Sequence, residues 1–510
     1  MAAWLHPLEP YLQRCTLAFA TSGRSLAMKK SDPDDPSTLP IKIDSTTNGE
    51  FWPRPLDSRL TNRLTRARIL AGDHARHLGI SRRDYLQSTC GAALALLALN
   101  DLGCRGGSYA VAPESALDKA VADRALTGRE FIFDVQTHAV SADRPWWDIP
   151  RPSLGDFLKT TPRANCGASH WSRCFTDDVL IKEVFLHSDT SLAVLSALWG
   201  YPSPIHVDEA ARTRDQIAKL QGRRRLRIHG GLQPNEAPFG EIVKRMHVMV
   251  QDWKIDAWKL YPVWGPEGRG FWLNEDLGMR SIQAGLDAGV SLFAVHKGLP
   301  LDGMDPRFTR PTDIGPVART FPKATFLVYH AGWEAERPEG PYDSNAERGV
   351  DALIRSCLDN GIGKNGNVYA ELGSTWRSLM KNPDEAAHVL GKLLLHMGED
   401  RILWGTDSIW YGSPQDQIQA FRAFEISPEF QERYGYPALT PERKRKIFGL
   451  NAAKVYGVSV DEIMQAQRDD NVSQARRVYA DAPLPDLRTY GPRTRREMLS
   501  WLRFSRGTPG

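Results

Sequence analysis

Four apolar runs that each end in a histidine or an aspartate constrain this chain more than anything else in it. They are Phe131-Ile-Phe-Asp-Val-Gln-Thr-His138, Ser291-Leu-Phe-Ala-Val-His296, Ala324-Thr-Phe-Leu-Val-Tyr-His330 and Ile402-Leu-Trp-Gly-Thr-Asp407. A short, nearly continuous apolar run suits a strand buried on both faces, as in a parallel sheet covered by helices. Chemically competent residues at the C-terminal ends of several such strands are where a parallel (β/α)8 barrel gathers its functional groups. One such run says little, whereas four in this order point to a barrel.

Eight strand candidates can be read, at 131–136, around 182–187, 225–231, 255–260, 291–296, 324–329, 367–371 and 402–406. Between them Asp208 to Leu220, Asn274 to Ala288, Ala346 to Asn360 and Pro383 to Met397 read as helices, several with apolar positions three and four apart. The fold class is therefore α/β, a (β/α)8 TIM barrel over residues 131–460 with an N-terminal extension and a C-terminal helical arm over 461–510. A barrel of ~250 residues, growing past 400 with insertions, accounts for most of a 510-residue chain. No GxGxxG follows the first strand and no GxxxxGK[ST] is seen, so nucleotide binding has no motif to rest on.

The formal net charge of +4 is close to balanced, and the arginine clusters at 223–227 and 493–496 sit in no nucleic-acid motif. No nucleic-acid partner and no membrane span are expected. Six cysteines, at 15, 90, 104, 166, 174 and 357, are too scattered for a disulfide scaffold and read as free or buried thiols, with one disulfide between Cys166 and Cys174 left open if the protein is exported. Residues 1–80 read as unfolded, because Lys29 to Asn48 is rich in Asp, Pro, Ser and Thr. Within 81–112, Ser81-Arg-Arg-Asp-Tyr-Leu-Gln87 and the apolar run to Leu99 resemble a twin-arginine export signal. Such signals start near an N-terminus, so residues 1 to about 78 are expected to be a gene-model artefact. The protein is then exported to a periplasmic or extracellular space, and is cytoplasmic if the segment is an ordinary helix.

Imidazole and carboxylate groups on adjacent strand ends can converge on one divalent cation. Zinc takes His nitrogen and Asp oxygen at ~2.0–2.2 Å, and a catalytic site keeps a position open for water. Trp146, Trp147, Trp264, Trp272, Trp333 and Trp376 lie beyond strand ends or in long connections, which leans toward an aromatic or hydrophobic small-molecule substrate.

From about residue 131 to 457 the chain resembles the amidohydrolase-related family, which includes aminocarboxymuconate-semialdehyde decarboxylase, aromatic-acid decarboxylases and several lactone and ester hydrolases. The resemblance rests on Gln136-Thr-His138 in place of a strand-1 HxH, on His296, on Val328-Tyr-His-Ala-Gly-Trp333, on Trp404-Gly-Thr-Asp407 and on Ile447-Phe-Gly-Leu-Asn-Ala-Ala453. It implies His138, His296 and Asp407 as ligands of one divalent metal ion, zinc first, with manganese or iron as alternatives. It implies Asp407 and His330 as the catalytic pair. Gln136 replaces the usual first histidine, and stands either as a weak fourth ligand or as a hydrogen-bonding partner of the metal-bound water. The resemblance implies a metal-dependent hydrolase. Non-oxidative decarboxylation of an aromatic or enol acid is the alternative, followed by a non-haem oxygenase on the same barrel or a metal-free binding subunit. A homodimer is expected by analogy.

Overall fold

The computed structural model describes residues 39–44, 46–47, 53–100, 106–147, 154–160, 168–221, 224–265, 268–299, 304–468, 470–481 and 496–499. A short strand, β1 (Gly107–Tyr109), precedes eight central ones. These are β2 (Phe133–Thr137), β3 (Leu192–Leu195), β4 (Leu226–Gly231), β5 (Ala257–Leu260), β6 (Leu292–His296), β7 (Thr325–Tyr329), β8 (Val368–Glu371) and β9 (Ile402–Leu403). β2 to β9 lie side by side in chain order, each parallel to the next. The ring closes between β2 and the segment after β9. There Thr137 bridges Ser408, and the N–H groups of Val135, Asp407 and His138 donate to the carbonyls of Trp404, Gln136 and Ser408. The protein is a (β/α)8 TIM barrel.

Burial on both sheet faces explains the near-continuous apolar runs. Phe133, Val135, Leu192, Val194, Ala294, Leu327, Tyr329 and Leu403 pack together in one cluster. Their strand neighbours Ile132, Ala193, Leu195, Phe293, Val295, Phe326 and Val328 belong to the other, which includes the surrounding helices. The expected helices stand at Val207–Gln221, Asp276–Asp287, Gly349–Asp359 and Pro383–His396.

One strand candidate was misplaced. Residues 181–186 form a wide helical turn, and the second barrel strand is Leu192–Leu195. Val184 and Phe185 are buried four and five positions after the buried Leu180, a helical spacing that a short apolar run conceals.

The chain before the barrel is also structured where it is described. Ser58–His77 is a helix with Leu60, Leu64, Ala67, Ala71 and Ala75 buried along one face, and Asp57 caps it by accepting from the Arg59 N–H. It packs on the helix Thr89–Asn100, nearly all of which is buried. The signal-like Tyr85 is buried, its hydroxyl 2.8 Å from the Ala116 carbonyl, and Arg82 donates to the Arg68 carbonyl at 3.2 Å. A dozen apolar residues serve a buried helix as readily as a signal core, and periodicity does not separate the two. Residues 1–38 lie outside the described residues.

β1 pairs antiparallel with β10 (Phe424–Ile426), tying this layer to the last part of the barrel. Cys90 and Cys357 are free and buried, but Cys174 is disulfide-bonded, so the reading of all six as thiols fails there. Among the described residues no helix is long and apolar enough to cross a membrane.

Candidate active site

β2 departs from a regular pleat. Its pairing with β3 shifts register between Asp134 and Thr137, which breaks the alternation that would put Asp134, Gln136 and His138 on one face. Asp134 turns to the closing segment, where it accepts from the Thr406 hydroxyl and from the N–H groups of Thr406 and Gln136, both at 3.1 Å. Gln136 and His138 turn instead to Asp407.

Three side chains meet there. His138 Nε2 lies 3.1 Å from Asp407 Oδ1, the Gln136 amide nitrogen lies 3.2 Å from the same oxygen, and it lies 3.4 Å from His138 Nε2. The other carboxylate oxygen, Oδ2, accepts from the Ser374 hydroxyl at 2.6 Å, and that hydroxyl also contacts the Tyr411 hydroxyl at 2.9 Å. His138 Nδ1 donates to the Ser196 carbonyl at 3.0 Å, and its ring stacks on Trp410. With that proton committed, Nε2 faces the Asp407 carboxylate, and the Gln136 amide nitrogen lies within reach of both. Burial pushes the Asp407 carboxyl up, but His138, His330 and Ser374 more than offset this and hold it below the usual range.

His296 and His330 stand side by side, ring centroids 4.7 Å apart. His330 Nδ1 donates to the Gly373 carbonyl at 2.7 Å, and its N–H donates to Glu371 at 3.0 Å. Burial holds the His330 imidazole down at about 4, against the pull of Asp407 and of the Gly373 bond, so the ring is neutral at neutral pH. His296 Nε2 donates to the Leu299 carbonyl at 3.0 Å, its ring stacks on Tyr261, and burial keeps it well below its ordinary value. His330, Ser374 and Asp407 all have positive φ (65°, 56° and 59°), a conformation that costs L-residues energy and persists where surrounding structure enforces it. Such strain gathers at functional sites, and here it falls on the hydrogen-bonded pair Ser374 and Asp407 and on His330, which bonds the Gly373 carbonyl next to Ser374.

A profile of the amidohydrolase family matches residues 204–458, half of the chain. The chain belongs to the amidohydrolase family. The match starts beyond β3, so Gln136 and His138 of this amidohydrolase lie outside it. No curated protein matches the sequence. Among solved structures, a TIM-barrel protein from Bordetella bronchiseptica is 14% identical, over 64% of this chain and 98% of that one, with a TM-score of 0.41. 2,6-Dihydroxybenzoate decarboxylase from Rhizobium is 12% identical, over 64% and 99%, with a TM-score of 0.38. A dihydroxybenzoic acid decarboxylase from Polaromonas with bound manganese is 12% identical, over 64% and 97%, with a TM-score of 0.35.

The donors of this amidohydrolase suit a divalent cation in kind. Gln136 Oε1 and His296 Nδ1 are buried acceptors with no hydrogen-bond partner among the described residues. His138 and His296 each commit one nitrogen to a backbone carbonyl, the support that fixes the tautomer of a ligating imidazole. The closure is partial. Among the described residues no three His, Cys, Asp or Glu groups stand together as a metal cluster. His138 and Asp407 are in contact, while His296 stands with His330 and Tyr261.

Sequence reasoning missed two groups that organise the site. Glu371 ends β8 as visibly as His296 ends β6, and its buried carboxyl, raised well above its ordinary value by burial, bonds the N–H groups of His330 and Gly373. Ser374 gave no signal, because a serine after a glycine is commonplace in loops.

Proposed function

We propose that this amidohydrolase is a metal-dependent hydrolase of a small organic substrate. The observation that carries the reading is the contact of His138, Gln136 and Asp407, with Ser374 holding the second Asp407 oxygen. His138, His296 and Asp407 would hold one divalent cation, zinc first and manganese or iron next, and Gln136, whose amide nitrogen faces His138 and Asp407, would add its oxygen once that amide is turned over. Such a cation supplies an acidified water and a polarised carbonyl. Asp407 stays ionised and would take the proton of the attacking water on its carboxylate, which Ser374 holds at Oδ2 and Gln136 and His138 hold at Oδ1. His330 is neutral with its proton on Nδ1, so Nε2 meets water or substrate as an acceptor. That favours a role in orienting the water over donation to an oxyanion.

The test is turnover of an ester and lactone panel in 18O-labelled water by protein of measured metal content. Incorporation of one label into the acid product is expected. Release of CO2 from aromatic acids without label would overturn hydrolysis in favour of decarboxylation. Oxygen consumption with two bound metals including iron would favour an oxygenase.

Gln136→His restores an imidazole where a neutral amide stands. Metal affinity is expected to rise roughly tenfold, worth about 1.4 kcal/mol, as read by competition with a chelating dye. Unchanged affinity would remove Gln136 from the ligand set.

A further inference from the structure

Beside the His138–Asp407 constellation a cavity of about 800 Å³ opens between the segments that follow β3, β4 and β5. The volume suits a drug-sized ligand. Its inner wall backs the constellation. Ser196 lines the cavity and its carbonyl accepts from His138 at 3.0 Å; Tyr261 lines it too, with its ring stacked on His296 at 5.2 Å. A group that fills the cavity therefore ends against the supports of both imidazoles.

The polar groups of the wall are engaged with the protein. His229 bonds Ser196 and Tyr456 at 3.2 and 2.7 Å, and the Gln233 amide donates to the Trp264 carbonyl at 2.6 Å. Lys259 Nζ lies against the Tyr329 and Tyr261 ring faces, at 3.9 and 4.3 Å. Near the mouth Asp208 pairs with Arg212 and Glu236 with Arg245. What the cavity offers a ligand is apolar surface. Trp199 and Trp264, ring centroids 5.9 Å apart, form an aromatic wall, and Leu232 and Met249 also line the space. The apolar character reaches the surface, where the lining residues Tyr201 and Val248 are 62% and 47% exposed. Large apolar side chains left in water around one cavity mark a place that a ligand covers.

Two small residues set the room inside. Gly231 ends β4 in strand backbone, so a side chain is conformationally allowed there. Chain neighbours aside, a Cβ at Gly231 would meet one atom within 4 Å, the Ala197 methyl at 3.4 Å, and Ala197 lines the cavity as well. The preceding Gly230 is different, since its Cβ would press on Ile255 at 2.7 Å and on the Met249 sulfur at 3.0 Å. Packing accounts for glycine at 230 and not at 231.

We propose that this cavity takes an apolar aromatic group of the substrate, and that Gly231 sets how large a group it admits. This deepens the hydrolase reading by naming the substrate's chemistry, and rests on that reading only for the claim that the ligand is the substrate. An aromatic ring gains burial and contact with the two tryptophans together, whereas a saturated ring gains burial alone.

The test is isothermal titration of the full-length protein with 1-indanone, a flat bicycle without a hydrolysable bond, and with its saturated counterpart octahydroinden-1-one. One indanone per chain is expected, bound more tightly than the saturated ketone. Gly231→Ala should stay within about threefold of the parent, while Gly231→Leu should weaken indanone by roughly tenfold or more at an unchanged circular dichroism spectrum. Ala197→Leu narrows the same space from the neighbouring strand end and should act alike. Trp264→Ala should remove the preference for the aromatic probe. No binding of indanone at millimolar concentration, equal affinity for the two ketones, or parent-like affinity in both leucine variants overturns the proposal. Indanone binding by a protein that hydrolyses nothing would sink the hydrolase reading and leave the aromatic site standing.

Discussion

Asp407→Asn is expected to lower turnover by about 10²–10⁴-fold while leaving the barrel folded, the loss set by removal of a general base. Asparagine keeps an oxygen that can accept from Ser374 or Gln136, so the local packing survives. It carries no charge, so it takes up no proton from water and no longer pairs with His138. The amide is also a weaker metal donor than a carboxylate, and metal content should fall with turnover. The measurements are turnover on a substrate that the parent protein hydrolyses, metal per chain, and circular dichroism. Full activity in the variant would sink the mechanism.

A second large effect lies away from the barrel mouth. Lys392 is buried and pairs with two buried carboxylates, Glu339 and Asp351, the latter at 2.6 Å. Glu339 also accepts from the Val350 N–H at 3.0 Å, so the cluster ties the connection after β7 to the helix Pro383–His396. Lys392→Met fills the space and leaves two carboxylates without their cation, a change that costs about 3–5 kcal/mol. Burial already holds Asp351 above the ordinary carboxylate range, against the pull of Lys392. Without that pull its folded pKa rises further above the unfolded value. A raised folded pKa means the folded state takes up a proton, so the penalty is full above that pKa and shrinks as pH falls. Urea unfolding should show the large deficit at pH 8 and a smaller one at pH 5. Equal deficits at the two values would show that charge is not the cause.

The barrel was legible because its strands are buried on both faces, which leaves runs such as Leu292–His296 and Thr325–Tyr329 almost free of polar residues until the last position. The second strand was misplaced because Val184-Phe185-Leu186 reads as the end of an apolar run, although Lys182 and Glu183 interrupt Ile181–Leu186 while Leu192–Leu195 is wholly apolar. His138, His296, His330 and Asp407 could be found as strand-end groups. How they meet could not, because it depends on an irregularity in β2 and on positive φ at three residues, neither of which needs a glycine here. The helix Ser58–His77 was lost to the polar composition upstream of it, although its buried positions recur every three or four residues.

The pairing of β1 with β10 sets an order of events during synthesis. Gly107 meets Ile426, and Lys42 meets Asp416, so the partners of the first layer are made roughly 300 residues later. At about 5–20 residues per second, a nascent chain holds Gly107 and Lys42 without these partners for on the order of tens of seconds. The layer that precedes the barrel is therefore closed only when the last part of the barrel has been made.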